Sequence, residues 1–323
     1  MCYSVMVEED FSKINRLLRA DVDRAAFEAF YRQRLTDSSC KSTKAMDANF
    51  LMPGLALDES IADLISEYRE QRKSEVQAEL FKQKTRLNTA QRAMASKPTK
   101  KAENDRRIAS DKVVRLEANL RDLMAPAELK PTHSRIFPMI YAPVIVEEGG
   151  RRVIRPMRYH CRPNGSPEFL DRKFDGLYNA RRDTINKPKS LWTPLIGKRH
   201  GILVVDSFYE NVALHDFERR ALRPDEKPAN VVLHFNPRQY QPMLVACLWD
   251  RWQAPGKPDL LSFAAITDEP PEEVAATGHD RCIVPLRPEN VDAWLNPEGS
   301  TREAIDALLE DRERPYYENR LAA

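Results

Sequence analysis

A cysteine sits directly behind the initiator methionine, in the opening Met1-Cys2-Tyr3-Ser4, and it is the first place where this chain could do covalent chemistry. Aminopeptidases trim a first methionine when the next side chain is small, and cysteine is small. Trimming would leave Cys2 with a free α-amine and a thiol on adjacent carbons. The amine titrates at about 7.7–8.0 and the thiol at about 8.5, so both are partly nucleophilic near neutrality. An aldehyde meeting that pair forms an imine, and the thiol then closes a thiazolidine ring. Taken alone, a second-position cysteine is more often an accident of coding at a frayed terminus. The rest of the chain has to decide.

A chain of 323 residues can bury a sizeable core and suggests one large domain or two modest ones. Hydrophobic residues make up 42% and charged residues 31%, and the net charge of +2 is too small to argue for nucleic acid by itself. No apolar run is long enough to span a bilayer, and the opening lacks the basic-then-apolar layout of a secretory signal. Cys2, Cys40, Cys161, Cys247 and Cys282 are scattered without CxxC spacing. That pattern points to reduced thiols and a cytoplasmic location, and it disfavours a structural zinc site. No metal or cofactor is expected.

Two textures must position any site. Residues from about Leu57 to Leu123 contain no glycine, carry apolar residues at helical spacing, and are interrupted by "SKPTK". They predict two helices in an antiparallel, coiled-coil-like hairpin. Between Phe81 and Ala102 lie seven Lys or Arg and no Asp or Glu. This is a nucleic-acid-facing patch or, more commonly for a helix, a solvated face. From about Arg135 the texture changes to short β-like runs such as "MIYAPVIV", "HGILVVDSFYENV" and "PMLVACLW", with helical pieces near "NVDAWL" and "TREAIDALLEDRER". The segment after Arg312 reads as polar and peripheral.

Three segments, "YNARRDTI" from Tyr178, "GILVVDSFYEN" from Gly201 and "TGHDRCIVPL" from Thr277, stand in this order after the Met-Cys start. Together the four resemble the SRAP family, the SOS-response-associated peptidases that sense abasic sites in single-stranded DNA. The resemblance covers the first few residues and roughly 135–300. It implies an α+β fold, a β-rich SRAP-like core of short strands flanked by helices, with an inserted helical hairpin arm. On that reading residues 1–56 are the N-terminal part of the core and 57–128 the helical insertion. Residues 129–312 are the main core and 313–323 a polar tail.

The resemblance also assigns roles. Cys2 would capture the open-chain aldehyde of an abasic sugar as a thiazolidine DNA–protein cross-link. Glu210, at the end of a buried strand, would shuttle a proton, although a lone strand-end Glu more often faces water. His279 would protonate the sugar's leaving oxygen, although a loop histidine is more often surface decoration. Asn179 would hold the sugar, and Arg181 and Arg281 would grip neighbouring phosphates. Tyr159 and Pro143 fall where the family meets DNA. Departures are visible: Tyr3 and Ser4 replace Gly-Arg, Tyr159-His160-Cys161-Arg162-Pro163 stands for Trp-Gly-Leu-x-Pro, Asn211 replaces Trp, and Asp183 replaces Glu.

The expected partner is single-stranded DNA carrying abasic sites, with AP-lyase activity and cross-link reversal open on the same residues. The helical arm could bind a protein partner or DNA. Two alternatives stay open. One is an N-terminal-Cys autopeptidase or amidohydrolase; the other is a non-catalytic scaffold in which the arm does the work.

Overall fold

The computed structural model describes residues 4–51, 59–124, 129–173 and 176–322. The chain opens with β1 (Ser4–Val7), α1 (Phe11–Leu18), β2 (Asp21–Val22), α2 (Arg24–Thr36), β3 (Lys41–Ser42) and α3 (Lys44–Leu51). The arm follows as α4 (Glu59–Ser96) and α5 (Lys100–Met124). The strand-rich part runs β4 (Arg135–Ile136), β5 (Ile140–Glu148), β6 (Arg151–Tyr159), α6 (Leu170–Lys173), β7 (Asn179–Arg181), α7 (Arg182–Ile185), β8 (His200–Ala213) and α8 (Leu214–Phe217). It continues through β9 (Asn230–Pro237), β10 (Met243–Trp252), β11 (Leu260–Asp268), α9 (Glu272–Ala275), β12 (Cys282–Ile283) and β13 (Pro285–Leu286). Helices α10 (Val291–Leu295) and α11 (Arg302–Glu310) and strand β14 (Tyr317–Leu321) close the chain.

The strands form one sheet that closes on itself. β10 pairs with β11, β11 runs parallel to β6, β6 pairs with β5, β5 touches β8 through Ile145 and Ile202, and β8 returns to β10. Closure explains why "ILVV" and "MLVACLW" are apolar on both faces. Side chains alternate across a strand, and here each face is buried. Ile202, Val204, Leu244, Ala246 and Leu248 join a core shared with α1, α2, α3, the root of α4, α10 and α11. Leu203, Val205, Val245, Cys247 and Trp249 join a second core, which includes no residue of those helices and turns inward.

β8 is longer than the barrel needs. Its first half, through Val205, pairs with β10, and its second half leaves to pair with β1 on one side and β9 on the other. The segment expected as a polar peripheral tail instead supplies β14, which pairs with β9 from Tyr317 to Leu321. Tyr317 is buried against Phe208, so one aromatic anchor outweighs the polarity of its neighbours.

The helical hairpin is present. α4 packs along α5, with Lys84 paired to Glu117 and Arg86 to Asp105 across the seam. Buried Val76, Gln83 and Ala90 recur at seven-residue intervals, as do Ala102 and Ala109, the spacing of a coiled-coil seam. Ile61 and Ile65 anchor the root in the main core, and the Arg34 guanidinium lies 3.9 Å over the Tyr68 ring.

The start of β8 is locked by one histidine. Gly197 N–H donates to His200 Nε2 at 2.8 Å, which leaves Nδ1 as the protonated nitrogen, 2.9 Å from the Trp294 carbonyl. Trp294, fully buried, stacks on the ring at 3.9 Å and donates Nε1–H to the Gly201 carbonyl. Gly201 has no room for a side chain, since a Cβ would meet Val144 at 3.0 Å and the Ile145 carbonyl at 3.3 Å. Burial pushes His200 down to about 4, and the hydrogen bond to the Trp294 carbonyl offsets only part of that. A base depressed in the native state binds fewer protons than in the unfolded chain. Its stabilising contribution is therefore complete above about pH 6.5 and is lost as pH falls toward 4. Imidazole nitrogen NMR should find His200 as the neutral Nδ1–H tautomer down to about pH 5; a titration midpoint near the ordinary 6.5 would contradict the arrangement.

Candidate active site at the end of strand β8

The second half of β8 carries two differently facing residues. Phe208 and Glu210 point to one side and Tyr209 to the other, as strand alternation requires. Phe208 stacks on Phe235 at 5.0 Å in the inward core, and Glu210 beyond it has no exposure to water. A carboxylate in that position needs a proton or a cation. His279 supplies the contact, its Nε2 lying 3.0 Å from Glu210 Oε2.

His279 reaches Glu210 because of Gly278. The loop between α9 and β12 turns at Gly278 with φ +89°, and a Cβ there would lie 2.6 Å from Asp216 Cβ. Only glycine lets the loop press against α8. His279 Nδ1 is 2.9 Å from the Arg281 carbonyl, a contact that a protonated Nδ1 makes by donating. The Arg281 N–H also lies 3.3 Å from Nδ1, so this backbone segment fixes the ring with Nε2 turned to the Glu210 carboxylate. A buried pair of this kind can take a proton from, or give one to, a reacting group without bulk water.

Two short strands bring the remaining residues to the end of β11. β7 pairs parallel to it, Asn179 opposite Ala265 and Arg181 opposite Thr267. β12 pairs antiparallel, Ile283 opposite Thr267 and Cys282 opposite Asp268. Asn179 is buried, whereas Arg181 is part-exposed. Arg281, just ahead of β12, donates to Asp183 Oδ1 at 3.2 Å and Oδ2 at 3.3 Å, and Arg181 approaches the same carboxylate at 3.4 Å. Asp183 thus holds both guanidiniums on one anchor. Asn179, Arg181 and Arg281 are tied to the end of β11, and Glu210 and His279 to each other.

Two further candidates lie in the packed interior. Tyr159 is fully buried, stacked on Phe263 at 5.2 Å, and Pro143 is buried in β5 opposite Pro156. Both side chains are enclosed by neighbouring strands. His160, standing where the family pattern has glycine, adopts φ +127°, a conformation that costs an L-residue on the order of 1–3 kcal/mol. Arg158 holds that turn by donating twice to the His160 carbonyl, at 3.2 and 3.1 Å.

Cys2 lies outside the described residues. The first described residue, Ser4, pairs with Tyr209, the immediate neighbour of Glu210. Around Ser4 the structure gathers a residue the sequence pattern did not single out. Arg135 on β4 donates to Ser4 Oγ at 3.0 and 2.9 Å, and its guanidinium sits 3.5 Å over the Tyr209 ring. Tyr209 stacks in turn on His234 at 4.2 Å. Burial first, then Arg320 and Arg135, push His234 down to about 4, so it is neutral at pH 7. A cation therefore stands beside the position where the family pattern carries arginine and this chain has Ser4. The absence of an arginine at position 4 was the available signal, but nothing in the sequence says which distant arginine replaces it.

The other cysteines are poor nucleophiles. Burial pushes the thiols of Cys40 and Cys161 up to about 12 and those of Cys247 and Cys282 higher still. All four are buried and free. Brief iodoacetamide treatment of the native protein at pH 7.5, followed by peptide mass spectrometry, should leave these four unmodified. Rapid labelling of any of them would refute the packing described for that thiol.

Comparison with known proteins places these elements in a wider set. Residues 90–321 match the model of the SOS response associated peptidase (SRAP) family. The abasic site processing protein YoqW of Bacillus subtilis (strain 168) is 27% identical over 193 residues, covering 59% of this chain and 79% of that protein. The abasic site processing protein YobE of the same organism is 26% identical over 192 residues, covering 59% and 80%. Among solved structures, a protein from Bacteroides thetaiotaomicron aligns with a TM-score of 0.45 at 17% identity, over 59% of this chain and 78% of that one. A phage-related protein from Bordetella bronchiseptica aligns with a TM-score of 0.44 at 21% identity, over 59% and 81%. With its family match spanning well over half of its length, this chain belongs to the SOS response associated peptidase (SRAP) family.

Proposed function

We propose that this protein is a covalent sensor of abasic sites in single-stranded DNA, with Cys2 as the nucleophile after removal of Met1. The observation that carries the reading is the buried Glu210–His279 pair at the end of the strand that β1 joins. Cys2 is tethered to Ser4 by two residues, which span at most about 7 Å. The names of the related abasic site processing proteins support the same substrate.

The chemistry balances without an outside reagent. The α-amine of Cys2 adds to C1′ of the open-chain sugar, and loss of one water gives an imine. The thiol then adds across the C=N bond, its proton passing to nitrogen, and the thiazolidine ring closes. Glu210 and His279 move the protons: one to the departing hydroxyl, one from the attacking amine. Asn179 holds the sugar by hydrogen bonds, and Arg181 and Arg281 take flanking phosphates when Asp183 releases them. If the imine eliminates before the thiol closes, the same residues give strand cleavage, and reopening of the ring gives reversal.

Intact-mass analysis after mixing with a single-stranded oligonucleotide bearing one abasic site tests this reading. The expected product lacks Met1 and gains the oligonucleotide mass less one water. Cys2→Ala should give no stable adduct, only an imine trappable by borohydride, because its α-amine remains. Cys2→Ser should give only an imine trappable by borohydride. A retained methionine, or a full-strength adduct from Cys2→Ala, would sink the proposal. A trimmed protein with no adduct would turn attention to thiol hydrolysis. His279→Ala should slow adduct reversal by roughly 10²-fold or more, the scale of one general acid–base group, with DNA affinity little changed. Adduct exchange onto a second labelled strand measures the first, and fluorescence anisotropy the second.

A further inference from the structure

The arm is not uniformly charged along its length. From Phe81 to Arg107, the distal part of both helices and their connection, there are nine Lys or Arg against Glu103 and Asp105, a net +7. The whole chain is +2, so everything outside the distal arm is −5. Residues 59–80, the root of α4, carry six acids against three bases.

A helix face that is merely solvated interleaves its signs. The root does so: Glu70 pairs with Lys73, and Arg72 with Glu75. At the distal end the pattern stops. Lys84 and Arg86 are spent on cross-seam pairs with Glu117 and Asp105. Arg92, Lys97, Lys100, Lys101 and Arg106 are exposed, and among the described residues no acid lies within ion-pair distance of them. These five stand around the Lys97–Thr99 connection, where the two helix ends bring them together.

The distal arm also stands clear of the core. The root packs on α2 and α3, with Lys44 paired to Asp122 at the end of α5. α4 has α5 as its main neighbour, and its contacts with the core through Ile61, Ile65 and Tyr68 precede the stretch from Val76 to Ser96. Those residues extend about 30 Å at 1.5 Å per residue. The basic cluster is thus held away from an otherwise acidic body on a stiff two-helix rod. Glu103 and Asp105 offset only part of the mutual repulsion of those five cations, and a polyanion would relieve more of it.

We propose that the tip of the arm binds the phosphate backbone of the same single-stranded DNA, on the flank beyond the core site. This rests on the reading of the core's substrate as DNA. Contact through Lys and Arg to phosphate carries no base sequence information, so the arm would extend the footprint and lengthen residence without setting a sequence preference.

The test compares wild type with Arg92→Gln/Lys97→Gln/Lys100→Gln/Lys101→Gln. Glutamine is a good helix former and all four positions are exposed, so the hairpin should persist, with circular dichroism as the check. Binding is measured by anisotropy across a salt series on oligonucleotides of about 7 and about 30 nucleotides, each with one central tetrahydrofuran abasic analogue, which has no aldehyde to cross-link. Single-strand binding loses about 0.7 in the slope of log K against log[salt] for each phosphate contact removed. On the long strand the slope should fall by about 2–3, and affinity at low salt should fall at least tenfold. On the short strand the two proteins should match. Equal slopes on the long strand, or equal losses on both strands, would overturn the proposal. Cross-link yield on a short strand carrying an authentic abasic site reads the core chemistry separately, so a failure there leaves the salt result for the arm intact.

Discussion

A carboxylate withdrawn wholly from water must share a proton or face a cation, and Glu210 meets that requirement through one ring nitrogen of His279. Much of the local architecture serves this contact. β8 must continue past the barrel to carry Glu210 into the second core. The loop after α9 must turn at a glycine pressed against Asp216 to bring the imidazole across. The Arg281 carbonyl must stand where it fixes the other ring nitrogen. Breaking any of these leaves a buried ionisable group without its partner, which is far costlier than losing a surface ion pair.

The same strand joins this chemistry to the body of the fold. At its start, His200, Trp294 and Gly201 clamp β8 to α10 and β5. At its end, Tyr209 is sandwiched between Arg135 and His234 while Ser4 pairs alongside. Both histidines packed along β8, His200 and His234, are driven neutral by burial. A rigid strand anchored at both ends can hold a buried carboxylate and imidazole in a fixed geometry.

Charge is distributed by a different logic. In the core, arginines are neutralised locally: Arg158 and Arg162 share Asp171, Arg182 and Arg312 share Asp268, and Arg34 meets Asp47. The densest excess of positive charge lies at the arm tip, where Phe81 to Arg107 carry nine Lys or Arg against two acids. A coiled-coil hairpin suits that distribution, because its seam needs only small and apolar residues every seven positions and leaves the outer faces free.

The sequence alone determined the fold class, the hairpin and the β-rich texture of the core, and it named Glu210 and His279 as separate candidates without showing that they meet. These features are written locally, in periodicity, composition and ordered short motifs. Contacts between distant segments were decided only by the tertiary structure. Nothing near Tyr317 announces that it will anchor a strand beside β9, because register is set by the partner and not by the segment. Tyr159 and Pro143 look like contact residues on paper, yet closure of the barrel buries both. Arg135 lies 131 residues from the serine it caps, and Asp183 lies 98 residues from the arginine it restrains. Such pairings depend on sheet register across more than a hundred residues of intervening chain, and one-dimensional spacing carries no trace of it.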